Sequence, residues 1–109
     1  MKQIVIKLGK KEYKKTNPVL KDWQNLLNYM EQYKGASPMA NEEAGLATMR
    51  MVEQWFDTPE VTLERMLEEL DLYTIMEAYR GIESNLFEVF TGTPLRREKA
   101  EDKAQEQPS

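Results

Sequence analysis

The stretch "IVIKLGKKEYKK", residues 4–15, decides whether the chain folds from helices alone. Apolar side chains recur at every second position of its first half, namely Ile4, Ile6 and Leu8. That spacing predicts a strand with one apolar face. Gly9 and Lys10 supply a turn, and "KEYKK" returns as a second strand with Tyr13 on one face. A hairpin alone is marginally stable in water, so we expect it to pack on helices or to pair with a strand of another chain.

After the hairpin, apolar residues recur every three or four positions in four segments, which is the spacing of amphipathic helices. The predicted helices cover residues 18–34, 42–57, 63–70 and 72–91. Short polar side chains that can accept a first-turn N–H precede the helices, and the predicted N-caps are Asn17, Asn41, Thr62 and Asp71. Pro18 fits the first helical position, and Gly35 and Gly92 fit helix ends. The sequence therefore predicts a mostly α, α+β fold, in which a short N-terminal β-hairpin precedes a bundle of about four helices.

The chain of 109 residues is long enough for one core, and we predict a single domain over residues 1–94. Beyond Leu95 the sequence "RREKAEDKAQEQPS" contains alanine as its only apolar residue type. Such a segment gains too little from burial to balance its ordering entropy. We therefore predict that residues 95–109 form a disordered charged tail.

The first and second helices differ in how their apolar residues are arranged. The first carries one broad stripe that we expect to be buried, made of Val19, Leu20, Trp23, Leu26, Leu27, Met30 and Tyr33. The second is apolar on more than one face, as in a central helix or in one that also meets a partner. Flexible thioethers suit surfaces that repack on different partners. The predicted partner-binding residues, away from the main stripe of the second helix, are Leu46, Met49 and Phe56.

The residue types exclude several chemistries. The chain contains no cysteine and no histidine, so it has no disulfide framework, no thiolate nucleophile and none of the commonest general bases. Glu64, Glu68 and Glu69 share a short helix with Arg65, which is the pattern of a solvated helix face. We expect no catalytic site, no metal site and no cofactor.

Charge is unevenly distributed along the chain. Residues 1–16 carry six lysines against one glutamate, whereas residues 17–94 carry five cations against fourteen carboxylates. This opposition suits contact between copies of the chain, although an ordinary solvated surface explains it equally well. The residues predicted to take part in self-association are Lys10, Lys11, Lys14, Lys15, Glu64 and Glu68. Because the rest of the folded part is acidic, we predict no nucleic-acid binding.

No apolar run approaches the about 18 residues of a membrane span, and the N-terminus lacks the apolar region and cleavage site of a signal peptide. We therefore expect a cytoplasmic protein without a membrane partner.

The order of these parts resembles a known family. A basic hairpin is followed by a helix after "NPV", a helix ending in "EQWFD", the segment "PEVTLERMLEEL", a last helix and a charged tail. Over residues 1 to about 91 this is similar to the tail assembly chaperones of long-tailed bacteriophages of Gram-positive hosts. The most specific stretch is "FDTPEVTLERMLEELDL", residues 56–72, and the family has no catalytic motif to match residue by residue.

The resemblance implies a non-enzymatic protein that binds the long helical tape measure protein and keeps it soluble. Such a chaperone recruits major tail protein subunits around its partner, forms homo-oligomers in the host bacterial cytoplasm, and is absent from the mature virion. Family members are often made in two lengths by ribosomal frameshifting, and this chain is similar to the short form. The alternative is a small acidic adaptor or inhibitor protein of a phage or another mobile element. A nucleic-acid-binding module, based on the hairpin lysines, is a third possibility.

Overall fold

The computed structural model describes residues 1–37 and 40–92. Two strands precede four helices: β1 (Ile4–Leu8), β2 (Lys11–Lys15), α1 (Leu20–Gln32), α2 (Glu42–Phe56), α3 (Leu63–Glu69) and α4 (Leu72–Thr91). This confirms the predicted mostly α, α+β class with an N-terminal hairpin. The predicted tail, residues 95–109, lies outside the described residues.

The hairpin forms as its sequence predicts. β1 and β2 pair antiparallel, with Leu8 opposite Lys11 next to the turn and Ile4 opposite Lys15 at the open end. Gly9 occupies the first central position of the turn with a φ of 64°, which glycine adopts without strain. The three alternating apolar residues of β1 are buried together with Tyr13 of β2. The sheet is therefore a two-stranded cover over one side of the helices.

α2 is the central helix. It contacts α1, α3, α4 and β2, as expected for a central helix. Trp55 and Val52 are fully buried, and they belong to one continuous core. The other buried members of that core are Ile4, Ile6, Leu8, Tyr13, Leu26, Met51, Val61, Met66, Ile75, Ala78, Ile82 and Leu86.

Three of the four predicted N-caps are confirmed. The side chain of Asn41 accepts a hydrogen bond from the backbone N–H of Ala44 at 3.2 Å. Thr62 caps α3 in the same way, accepting from the N–H of Arg65 at 3.2 Å. Asp71 caps α4 by accepting from the N–H of Thr74 at 2.7 Å. Each bond satisfies a first-turn donor that has no partner within the helix.

The predicted start of α1 is wrong. The helix begins at Leu20 with Val19 as its N-cap, and not after Asn17 with Pro18 in the first turn. The cause is Asp22, whose carboxylate accepts the backbone N–H of Val19 at 2.8 Å. A carboxylate in the third helical position that reaches back to the N-cap N–H fixes the helix start at that residue.

Asn85 of α4 closes the open end of the hairpin. Its Nδ2 donates to the carbonyl oxygens of Lys2 at 2.7 Å and Thr16 at 2.8 Å. Its Oδ1 accepts the backbone N–H of Lys2 at 3.0 Å. One buried amide of the last helix thus satisfies three backbone groups that flank the two strands at the open end of the sheet.

Candidate protein-interaction surface

α1 does not bury the broad stripe that its sequence predicts. Asp22 and Leu26 are its buried residues, and Tyr29 and Tyr33 are half-buried. Most of the predicted stripe is exposed, with exposed fractions of 75% for Leu20, 37% for Trp23, 45% for Leu27 and 51% for Met30. That part of the prediction is wrong, and the exposed side chains form an apolar row along the outside of the molecule.

Polar contacts explain the rotation of α1. The carboxylate of Asp22 faces inward because it accepts from Lys15 Nζ at 3.1 Å as well as from Val19. The hydroxyls of Tyr29 and Thr48 form a hydrogen bond of 3.0 Å across the interface with α2. The bonds from Lys15 to Asp22 and between Thr48 and Tyr29 join α1 to other elements, so they favour this rotation. The face of α1 that carries Asp22 and Tyr29 therefore points towards the core, and the face that carries the apolar row points towards solvent.

The exposed row continues onto the end of α4. The rings of Trp23 and Phe90 lie 5.7 Å apart between centroids at an interplanar angle of 48°, and Phe90 is itself 59% exposed. The apolar face is defined here as Leu20, Trp23, Leu27, Met30 and Phe90. A contiguous set of large exposed apolar side chains is typical of a surface that another molecule covers.

A concave region borders the apolar face near Met30. A groove of about 350 Å³ lies between the end of α1 and the middle of α4, with Tyr79, Arg80 and Glu83 on its α4 side. The Tyr29 and Tyr79 rings lie 5.7 Å apart at its inner wall. The surface therefore offers both a flat apolar row and an aromatic-lined recess with charged groups at its rim.

The residues predicted to bind a partner lie elsewhere. Leu46, Met49 and Phe56 are partly buried on α2, and the latter two pack against the core. None belongs to the apolar face. The structure does not test their proposed role, which stays a prediction, but it leaves them less accessible than Leu20 or Met30.

The lysines predicted for self-association mostly have carboxylates within the chain. Lys11 pairs with Glu60 at 2.8 Å, and Lys15 pairs with Asp22. Lys14 lies 3.5 Å from Glu12. Lys10 is exposed at the turn, as are Glu64 and Glu68 on α3. The hairpin and α3 are adjacent in the structure, and the role of these residues between copies stays a prediction.

A small polar network lies beside the hairpin turn. Glu60 accepts from Lys11 Nζ and from the hydroxyl of Tyr13 at 3.0 Å, and these bonds lower the pKa of Glu60 and raise that of Lys11. Arg65 pairs with Glu69 at 3.0 Å, which lowers the pKa of Glu69. A carboxylate held ionised in this way is a weaker base than an ordinary glutamate. The network is suited to fastening the hairpin to α3 and poorly suited to proton transfer.

Sequence analysis identified the residues of the apolar face but assigned most of them to the core. Two signals indicated otherwise. Asp22 lies at one edge of the apolar stripe of α1, and a charged residue turns inward only when the fold supplies partners for it. In addition, that stripe is wider than one neighbouring helix covers.

Among residues 1–37 and 40–92, no three acidic side chains come close enough together to hold a metal ion. In the same part of the chain, no helix combines the length and the apolar character needed to cross a membrane. Searches of protein-family models, of curated proteins and of solved structures find no match to the chain.

Proposed function

We propose that this protein is a tail assembly chaperone of a long-tailed bacteriophage, which binds the tape measure protein in the host cytoplasm and helps to recruit tail tube subunits. The observation that carries the proposal is the apolar face. The resemblance in the order of the elements and in residues 56–72 supplies the identity of the partner. In this role the protein performs no catalysis.

The shape of the apolar face suits a helical partner. Its α1 side chains recur at intervals of three, four and three residues, so they form a straight row along the helix. From Leu20 to Met30 the row is about 15 Å long, which is roughly three helical turns. An amphipathic helix laid along it would bury its apolar side chains in the helix-in-groove mode. A long helical protein would then need many copies of this chain to be covered.

The chemistry of the surface supports adaptable binding. Met30 lies at the border between the apolar row and the recess, and its flexible thioether fits side chains of different shapes. The rest of the folded part is strongly acidic, with fourteen carboxylates against five cations between residues 17 and 94. An acidic exterior keeps a coated partner dispersed through charge repulsion.

Co-expression with the tape measure protein encoded beside it tests the proposal. We expect the long protein to become soluble and to co-purify with several copies of this chain. Trp23→Glu places a charge within the apolar face and should reduce co-purification at least tenfold. Leu67→Glu is the matched control, because Leu67 is a 53% exposed apolar residue on α3, outside the face. It should leave co-purification unchanged.

An insoluble tape measure protein beside a free small protein would contradict the proposal and favour the adaptor or inhibitor alternative. Equal effects of Trp23→Glu and Leu67→Glu would contradict the assignment of the binding surface. Circular dichroism of both variants verifies that the helices are retained.

A further inference from the structure

The apolar face is large enough for a second molecule to cover it. Its five side chains are between 37% and 75% exposed, which is about half on average. An aromatic side chain presents about 150–250 Å² and Leu or Met a comparable or slightly smaller area, so the face amounts to on the order of 500 Å². Contiguous apolar patches of this size are at the upper end of what monomeric proteins leave in water. A specific interface buries at least about 1,000 Å² in total, and two such faces packed on each other come near that lower bound.

The spacing of the row is self-complementary. The intervals of three, four and three residues read the same in both directions along α1. If a second copy lies antiparallel, its Met30 faces Leu20 and its Leu27 faces Trp23. Each large side chain then meets another across a two-fold axis, which is the condition for a closed isologous contact.

Charge also favours a second copy on this face over other surfaces of the molecule. Two copies of an acidic protein repel each other over most of their area. Along the exposed side of the row, however, Gln24 and Asn28 carry uncharged amides, and the charged neighbour of Leu27 is Glu31, one turn towards the end of α1. In an antiparallel pair the two Glu31 side chains lie at opposite ends of the contact. Two copies can therefore approach through α1 without placing like charges opposite each other near the axis.

We propose that a second copy of this chain covers the apolar face in the absence of a partner, with α1 packed antiparallel on α1. The contact lies at the small end of specific interfaces, so it forms and dissociates readily. In the chaperone, a tape measure helix would displace the second copy, so the dimer would regulate access to the apolar face. This regulatory role rests on the proposed function. Its existence requires no partner and can be tested alone.

Sedimentation velocity of the purified full chain, from about 5 to about 500 µM, tests the dimer. We expect the weight-average mass to rise from near 12.8 kDa towards twice that value. Leu27→Glu should keep the protein monomeric throughout this range, while Leu67→Glu should dimerise like the original chain. A mass that stays monomeric at the highest concentration would overturn the proposal, and so would equal behaviour of the two variants.

Disulfide trapping tests the antiparallel arrangement. The chain contains no cysteine, so introduced thiols report only their own contacts. Leu20→Cys and Met30→Cys chains, mixed and mildly oxidised, should form the mixed disulfide, because a disulfide needs Cα atoms within about 7 Å. Each variant alone should cross-link at least fivefold less. Self-linking of Leu20→Cys as strong as that of the mixture, or no cross-linking at all, would overturn the arrangement.

The two proposals can fail separately. A dimer on α1 that does not release its face to the tape measure protein would leave the dimer standing and remove the chaperone function. If the chain stays monomeric alone but forms soluble complexes with the tape measure protein, the chaperone function stands and the dimer is excluded.

Discussion

At the scale of single residues, the ammonium group of Lys15 joins three elements. Its Nζ lies 3.1 Å from Asp22 Oδ2 on α1 and 2.7 Å from the carbonyl oxygen of Trp55 at the end of α2. It also lies 4.5 Å from the centroid of the Trp55 ring, within the range of a cation–π contact. The end of β2 is thereby fixed to α1 and to α2.

Removal of this cation should destabilise the protein strongly. Lys15→Met leaves the carboxylate of Asp22, which is 4% exposed, without its counter-charge. Removing one partner of a buried ion pair costs about 3–5 kcal/mol, and we expect a loss of this order in the free energy of unfolding. Urea denaturation followed by circular dichroism measures it. Lys14→Met is the control, because Lys14 pairs with Glu12 at the exposed surface, and it should change the value by less than about 0.5 kcal/mol.

The double variant Lys15→Met with Asp22→Asn separates charge from packing. With both charges absent, no buried carboxylate remains unpaired, and the double variant should be more stable than the Lys15→Met variant. If the two single losses simply add, the pair does not act as a charge pair and this account of Lys15 is wrong.

At the scale of secondary-structure elements, the approach of β1 to α4 depends on Gly81. A Cβ atom at this position would overlap the Cδ1 atom of Ile4, which is buried in the core. Any larger residue at position 81 therefore requires the buried side chain of Ile4 to move. This explains a glycine in the interior of a long helix, where it is otherwise about 1 kcal/mol less favourable than alanine.

Gly81→Ala should lower the free energy of unfolding by about 1–3 kcal/mol, because the steric overlap outweighs the gain in helix propensity. In the background of Ile4→Val, which removes the Cδ1 atom, the same change should be neutral or stabilising. Denaturant unfolding of the four chains in this double-mutant cycle gives the coupling. Equal effects of Gly81→Ala in both backgrounds would contradict the assigned contact.

Local signals predicted the elements well and their rotation poorly. The hairpin turn at Gly9 and the caps at Asn41, Thr62 and Asp71 depend on interactions within a few residues, and all are present. The rotation of α1 depends on Lys15 and Thr48, which belong to other elements. A hydrophobic pattern identifies the apolar side of a helix, but tertiary contacts decide how much of that side is covered.

At the scale of the whole molecule, several carboxylates make the fold sensitive to acid. Bonds from Lys11 and Tyr13 lower the pKa of Glu60, a bond from Arg65 lowers that of Glu69, and bonds within the first turn of α4 lower that of Asp71. A carboxyl group whose pKa is lower in the folded state contributes stability above its ordinary pKa. That contribution is lost as the pH falls through the lowered value.

We therefore expect the melting temperature to fall between about pH 5 and about pH 3, where these groups take up protons. Glu60→Gln should weaken this dependence. Glu64→Gln, which changes a nearby exposed carboxylate on α3, is the control and should preserve it. Thermal melts followed by circular dichroism across the pH range provide the measurement. An unchanged pH dependence in Glu60→Gln would contradict a contribution from this carboxylate.

The candidate site was less predictable than the fold. Residue types correctly marked Leu20, Trp23, Leu27 and Met30 as apolar, but only the structure distinguishes those that the molecule covers from those that it leaves exposed. The same limit applies to Met49 and Phe56, which pack partly against the core. A partner surface is a part of the apolar pattern that no element of the chain covers, and this depends on the arrangement of all elements together.

The three hydrogen bonds of Asn85 also bear on the order of events during synthesis. They join residues 83 and 69 positions apart along the chain, so the hairpin, which leaves the ribosome first, waits for the last helix before its open end is secured. Throughout that interval the apolar side of a two-stranded sheet remains without most of its cover, and strand pairing between nascent chains competes with folding. Slow translation between the hairpin and α4 would therefore lower the yield of folded protein, and rapid translation of this short gene segment would raise it.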